Sequence, residues 1–353
     1  MSLHAGRRVV VPSFADTPLE AIERMTLEEM PAPEPGERDV VVAVKSASVG
    51  WVDLLMTTGQ YQHVAQPPYC PGLEYAGEVA AVGPAVTGVK PGDRVLVDGF
   101  LAGPRSLGAY QRWGGFASYA VAPAEAVHPI PGALSFDEGT NLLGNYETAY
   151  HCLVTRGRLR AGETVLVHGA SGATGLAAVQ IAKLLGATVI ATGRSDAKLA
   201  VVKEQGADHV VTSTSGFKDA VKQLTGGKGV DVVYDGVGGD VSIESMRCVK
   251  FGARFLVVGW ASTPFVARKG KDPNALPTNL IMMKGLDVLG CPTAISTAHD
   301  PASRPPRLAQ VLAWAREGKI RPHVSHVFPL ERFADGMRAK WSGEVVGGCV
   351  LHP

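Results

Sequence analysis

Hydrophobic and polar residues change their spacing along this chain. Up to about position 130, short β-branched runs alternate with Gly and Pro. Val40–Val44, Gly77–Val82 and Asp93–Val97 read as strands, and the Pro-Gly pairs at 71–72, 91–92 and 131–132 read as turns. Only Trp51–Thr57 has helical spacing there. Such punctuation predicts a compact, barrel-like β domain. Near Ser135 the texture shifts. Ser135-Phe-Asp-Glu138 is a capping box that opens a helix. Beyond it, strands at Thr164–His168, Thr188–Thr192, His209–Val211, Asp231–Tyr234, Arg254–Val258 and Leu286–Leu289 alternate with helical runs. Those runs are Leu176–Leu185, Ala197–Gln205, Phe217–Leu224 and Val241–Val249. Alternation of this kind predicts a parallel sheet with helices on both faces. A last helix near Pro306–Glu317 and a strand-like end, Val345–Leu351, are expected to return to the first domain.

Composition narrows the function classes. A length of 353 residues fits about two domains of roughly 150 residues. Lys plus Arg is 34 against 33 Asp plus Glu, a net charge of +1, so no nucleic-acid partner is expected. With 46% hydrophobic residues the chain has material for buried cores and is not disordered. Five widely spaced cysteines without a C-x-x-C pair suit a reduced, cytoplasmic protein, and no signal peptide is recognised in Met1–Met30. The uncharged stretch Thr164–Ala182 contains His168, Ser171 and Gln180. It reads as a buried strand plus helix, so no membrane association is expected. Glycine is in excess, 42 of 353 residues, and calls for tight turns or close backbone approaches.

One such place is identifiable. Strand Thr164–His168 runs into Gly169-Ala-Ser-Gly172-Ala173-Thr174-Gly175 and then an apolar helix, an A-x-G-x-x-G dinucleotide fingerprint in its proper context. Gly172 would let backbone approach a pyrophosphate, Gly175 would let helix pack on strand, and the helix N-terminus, with Ala173 and Thr174, would face the phosphates. NAD binders place an acid at the end of the next strand. Here that slot holds Gly193, followed by Arg194, Ser195 and Lys198, which suit a 2′-phosphate and predict NADPH. Asp196 lies close but is placed to cap the following helix. The alternative is that Arg194 and Lys198 are solvated charges.

Further motifs carry a family resemblance. They are Pro71-Gly-Leu-Glu-Tyr-Ala-Gly77, Val89-Lys-Pro-Gly-Asp-Arg-Val95, Ala161–Ala170, Tyr234-Asp-Gly-Val-Gly-Gly239 and Gly318-Lys-Ile-Arg-Pro-His323. Over nearly its whole length the chain resembles the medium-chain dehydrogenase/reductase superfamily. The resemblance implies a GroES-like catalytic domain (1–135, completed by 293–353) and a Rossmann domain with a doubly wound parallel sheet (136–292). Zinc members carry a ligating Cys where this chain has Gly50, a His where it has Leu73, and often a four-Cys lobe where Val97–Phe116 has no Cys. No metal is therefore expected. What remains looks like the zinc-free quinone oxidoreductase and 2-alkenal reductase branch, whose members reduce quinones or activated C=C bonds with NADPH. Homodimerisation through the sheet edge near Leu286–Leu289 is implied as well.

The same resemblance nominates site residues. Tyr61 matches a tyrosine near the nicotinamide that would bond the acceptor carbonyl or relay a proton. The alternative is a loop tyrosine satisfied locally. Trp51 and Leu55 would line the pocket, and Asn145 and Tyr146 would touch nicotinamide or substrate. Thr148 would meet the cofactor, Ser213 would lie near the adenosine phosphate, and Val237 and Gly259 would offer backbone to the nicotinamide ribose. Trp260 would cap the pocket. The branch often has an Asn where this chain has Gly50 and a second Tyr where it has Leu55, and both changes are expected to make the pocket wider or more apolar. Asp53, Glu74 and Asp93 read as structural. The basic run Arg268-Lys-Gly-Lys271 suggests an enoyl-thioester reductase if it meets a CoA phosphate, or a solvated loop. The contrasting class is a non-catalytic NADPH-binding protein, crystallin-like or regulatory.

Overall fold

The structure is a computed structural model describing residues 3–61, 65–106, 108–213, 216–261 and 274–353. In chain order its strands are β1 (Gly6–Val10), β2 (Thr26–Met30), β3 (Asp39–Ser48), β4 (Tyr75–Val82), β5 (Arg94–Val97), β6 (Tyr119–Pro123), β7 (Val127–Pro129) and β8 (Thr164–Val167). There follow β9 (Thr188–Gly193), β10 (His209–Thr212), β11 (Val230–Asp235), β12 (Val249–Val257), β13 (Asp287–Gly290), β14 (Val324–Pro329) and β15 (Gly348–His352). The chain forms two units, Met1–Gly144 with Ala315–Pro353, and Asn145–Trp314.

In the first unit, the sheet runs β14-β15-β3-β4-β5-β7, with β6 also paired to β3. β3 is the hub because it is longest and β-branched. Val40, Val41 and Val42 are fully buried, and the strand pairs antiparallel with β4, β6 and β15. Val350 lies opposite Ser48, so β15 joins the edge strand β14 to β3. A separate hairpin-like sheet, β1 on β2, was not visible as alternation, because β2 reads Thr-Leu-Glu-Glu-Met and is mostly exposed. The helix Phe333–Ser342 was also not anticipated.

The second unit holds a six-stranded parallel sheet in the order β10-β9-β8-β11-β12-β13. Strand order reverses between β8 and β11, and the carboxyl ends of strands at such a switch point form the ligand-binding edge of open α/β sheets. Val165, Leu166 and Val167 are fully buried, as a central parallel strand requires. One expected element is corrected. The helix read as Val241–Val249 is only Asp240–Ser245, and Val249 instead opens β12 by pairing with Val230. Val241, Ser245 and Val249 share helical spacing, but strand pairing claims the last of them. The second unit also extends to Trp314, beyond the boundary at 292 read from sequence. On the helix Arg304–Arg316, Arg304 and Arg307 both donate to the buried Glu147 carboxylate at 2.7–3.1 Å. All five cysteines are free and buried. Among the described residues no helix is long and apolar enough to cross a membrane.

Candidate active site

At the carboxyl end of β8 the chain turns through Gly169 (φ +62) into the helix Ala173–Leu184. Gly172 occupies the N-cap in extended backbone (φ −74, ψ 162), and no side chain caps the helix. Its first N–H groups are therefore left for an external acceptor. The two fingerprint glycines have different jobs. A Cβ on Gly172 would meet the Gly169 carbonyl at 3.3 Å, a tight contact, and nothing else within 4 Å. A Cβ on Gly175 would lie 2.3 Å from that same carbonyl and 2.8 Å from Ala170 Cα, so this glycine permits close helix–loop packing. The shape and donors of this turn fit a dinucleotide pyrophosphate. Thr174 donates its hydroxyl to Asn145 Oδ1 at 3.0 Å, which joins two nominated residues.

The next strand, β9, ends at Gly193. Both the N–H and the hydroxyl of Ser213 donate to the Gly193 carbonyl, at 2.8 and 3.1 Å. Arg194 is exposed, and Lys198 lies half-buried on the helix Asp196–Glu204. The sequence reading of Asp196 as a cap is corrected. Ser195 holds the N-cap position, and the Asp196 carboxylate instead accepts the Thr212 hydroxyl.

β11 ends at Asp235, whose buried carboxylate organises the following turn. Val237 N–H and Gly238 N–H donate to Oδ1 at 2.8 and 3.0 Å, and the Ser242 hydroxyl donates to Oδ2. Gly238 and Gly239 both have positive φ. At the end of β12, Gly259 N–H donates to the Asp235 carbonyl at 3.3 Å and Trp260 is exposed. Val237 and Gly259 thus lie on adjacent turns at the same sheet edge. The basic run Arg268–Lys271 lies outside the described residues.

In the first unit, Gly50 is the N-cap of the helix Trp51–Met56. Asp53 accepts from Gly50 N–H on Oδ2 at 2.9 Å, and from Gly72 N–H and Leu73 N–H on Oδ1 at 3.0 Å each. Burial pushes its carboxyl up to about 6, against the downward pull of those three donors and of Arg105. Trp51 stacks on Trp341, with centroids 5.1 Å apart and planes 13° from parallel. Tyr61 is half-buried and packs against the first unit's core.

Residues 36–132 match the family described as alcohol dehydrogenase GroES-like domain, and residues 173–301 match the one described as zinc-binding dehydrogenase. A quinone oxidoreductase-like protein 2 homolog from Nematostella vectensis is 33% identical over 96% of this chain and 88% of its own length. The chain belongs to the quinone oxidoreductase branch of the medium-chain dehydrogenase/reductase superfamily. A solved probable oxidoreductase from Mycobacterium abscessus shares 32% identity at a TM-score of 0.82, covering 99% of this chain and 100% of that one. The Escherichia coli quinone oxidoreductase solved with NADPH has a TM-score of 0.81 at 24% identity, over 98% of this chain and 100% of that one, and supports the shared fold.

For a member of this oxidoreductase branch, several placements are informative. Gly50 and Leu73 offer no metal-ligating side chain, and Asp53 spends its lone pairs on their backbone. Among the described residues no group of three or more His, Cys, Asp or Glu is placed to hold a metal. Tyr146 is corrected as a ligand-contacting candidate. It is buried, and its hydroxyl donates to Gln180 Oε1 at 2.8 Å. Thr148 lies one turn along the same helix, Leu143–Tyr150, from Asn145. Glu74 and Asp93 make structural bonds, to Gly144 N–H at 2.7 Å and Lys90 N–H at 2.9 Å. Trp341 was missed because it sits in the unanticipated helix, and its partnership with Trp51 joins residues 290 positions apart. In the sequence His168 stands out only as a polar residue in an apolar stretch.

Proposed function

We propose that this oxidoreductase is an NADPH-dependent, zinc-independent reductase of quinones or of the activated C=C bond of α,β-unsaturated carbonyls. The observation that carries the reading is the uncapped helix N-terminus over Gly172, followed by a strand end with Gly193, Arg194 and Lys198 in place of an acid. The nicotinamide cofactor, when bound, supplies the hydride. The chain's own residues do the rest. Gly172, Ala173 and Thr174 would hold the pyrophosphate, and Arg194, Ser195 and Lys198 the 2′-phosphate, with Ser213 supporting that strand end through the Gly193 carbonyl. Val237, Gly259 and Trp260 would flank the ribose side, and Thr148 and Asn145 the carboxamide side. Tyr61 would donate its phenol to the acceptor's carbonyl oxygen, and Trp51 would give its neighbourhood an apolar wall. A conjugated acceptor asks for such donors to its carbonyl oxygen and a proton, without a Lewis acid. A cytoplasmic homodimer joined along β13 completes the reading.

The test is calorimetric titration with NADPH and NADH of wild type and of the double variant Arg194→Ala, Lys198→Ala. Tighter NADPH binding in wild type, with that preference lost in the variant, supports the reading. Equal loss for both cofactors would place the 2′-phosphate elsewhere.

A further inference from the structure

His168 is the last residue before the phosphate loop, and its side chain is almost wholly buried. Both ring nitrogens are engaged. Nδ1 lies 2.6 Å from Thr192 Oγ1 on β9, and Nε2 lies 2.6 Å from Ser245 Oγ at the end of the helix Asp240–Ser245. The proton arrangement follows from the bonds around them. Ser245 donates its only hydroxyl proton to the Val241 carbonyl at 2.6 Å, so at Nε2 it must accept. The ring therefore carries its proton on Nε2, and Thr192 donates to Nδ1. A second proton on the ring would turn Thr192 from donor to acceptor at Nδ1 and its hydroxyl would have to rotate away.

The backbone of the same segment is tied to the same elements. His168 N–H donates to the Tyr234 carbonyl of β11 at 3.0 Å, and Ala170 N–H donates to the Thr192 carbonyl at 3.3 Å. Phe217 closes one ring face, with centroids 4.9 Å apart. Burial holds the imidazole down to about 4, although the nearby carboxylates of Asp235 and Glu244 favour its protonated form.

We infer that His168 is a positioning residue for the cofactor loop: its neutral imidazole pins the start of Gly169–Gly175 to the carboxyl end of β9 and to the helix that follows the Asp235 turn. The inference rests on the reading of that loop as the dinucleotide cradle. It differs from the 2′-phosphate recognition proposed above, because the pyrophosphate is common to both cofactors. Loosening the pin weakens NADPH and NADH by the same factor and leaves their ratio unchanged.

The experiment measures dissociation constants for both dinucleotides on the full chain in four proteins: wild type, Thr192→Val, His168→Phe and Val221→Ala. Thr192→Val keeps the side-chain shape and removes the hydroxyl. Val221→Ala truncates a fully buried residue of the second unit's core and serves as a stability control. Imidazole nitrogen NMR of wild type is recorded alongside. The expected result is a weakening of about tenfold for both cofactors in Thr192→Val and His168→Phe. Val221→Ala should lower the melting temperature without changing either constant. The NMR should show a proton on Nε2 and none on Nδ1 from about pH 5 to about pH 8. Should His168→Phe fail to fold, Thr192→Val and the NMR decide. Unchanged constants in Thr192→Val, equal weakening in Val221→Ala, or a proton on Nδ1 would overturn the inference. Wild type binding neither dinucleotide would instead overturn the cradle reading beneath it.

Discussion

Asp53 offers a pH experiment whose sign can be worked out in advance. Its carboxyl rises from 3.8 to about 6 in the fold because burial disfavours the charge more than three N–H donors and Arg105 favour it. The folded chain therefore holds this proton at a pH where the unfolded chain has lost it. The contribution to stability is complete below about pH 4 and is lost as pH rises through about 6. A shift of about two units at about 1.4 kcal/mol per unit gives about 3 kcal/mol across that window. His151 and His168 act in the opposite sense. Burial holds both down to about 4, so their contributions are lost as pH falls from about 6.5 toward 4. A raw stability curve would mix these three with the lowered carboxyls of Glu138, Asp208 and Glu331. The useful quantity is the difference between wild type and Asp53→Asn, in which the histidine contributions cancel. Asparagine can still accept from Gly72 and Leu73, while its amide meets the Gly50 N–H, a pH-independent cost of about 1 kcal/mol. Urea unfolding would be followed by tryptophan fluorescence, with Trp51 and Trp341 reporting from the same unit. From about pH 4 to about pH 7 the wild type should lose about 3 kcal/mol relative to Asp53→Asn. A flat difference would show that Asp53 titrates near its ordinary value and refute the burial argument.

The two fingerprint glycines should respond differently to alanine. Gly175→Ala forces a Cβ into the Gly169 carbonyl and should cost about 1–3 kcal/mol of stability along with dinucleotide binding, read by thermal unfolding and titration. Gly172→Ala keeps an allowed backbone and sets its Cβ 3.3 Å from the Gly169 carbonyl, a tight contact that a small shift relieves, so stability should fall by less than about 1 kcal/mol while dinucleotide affinity falls. Glu147→Gln leaves the buried Arg304 and Arg307 without their carboxylate and should cost about 3–5 kcal/mol in denaturant unfolding. Trp51→Ala removes the stack on Trp341 and should lower stability by about 1–3 kcal/mol.

The features that were legible in the sequence are those whose physics is local. The glycine-rich strand–turn–helix could be read because its glycines, its preceding strand and its following helix are contiguous, and the structure shows each glycine doing separate steric work. The strand-helix alternation was equally plain, since a central parallel strand such as Val165–Val167 is buried on both sides. What escaped was long-range. Trp341 is recognisable as a partner of Trp51 only once the helix Phe333–Ser342 is packed. Tyr146 looked like a ligand contact from its motif, yet Gln180, 34 residues on, takes its hydroxyl. Residues up to Trp314 group with the second unit, where Glu147 binds Arg304 and Arg307 from far along the chain. Pairings of this sort leave no periodic mark, and the same is true of the hydroxyls gathered around His168.

The central claim is reductase activity with NADPH and a conjugated acceptor. The direct measurement is NADPH consumption by the purified full chain with saturating para-quinones, conjugated enals and enones, and enoyl-CoA thioesters, repeated with NADH and after exhaustive chelation of metal ions. The account predicts turnover with at least one quinone, enal or enone, faster with NADPH than with NADH and unaffected by the chelator. Tight NADPH binding with no oxidation by any acceptor would contradict it and favour a non-catalytic dinucleotide-binding protein.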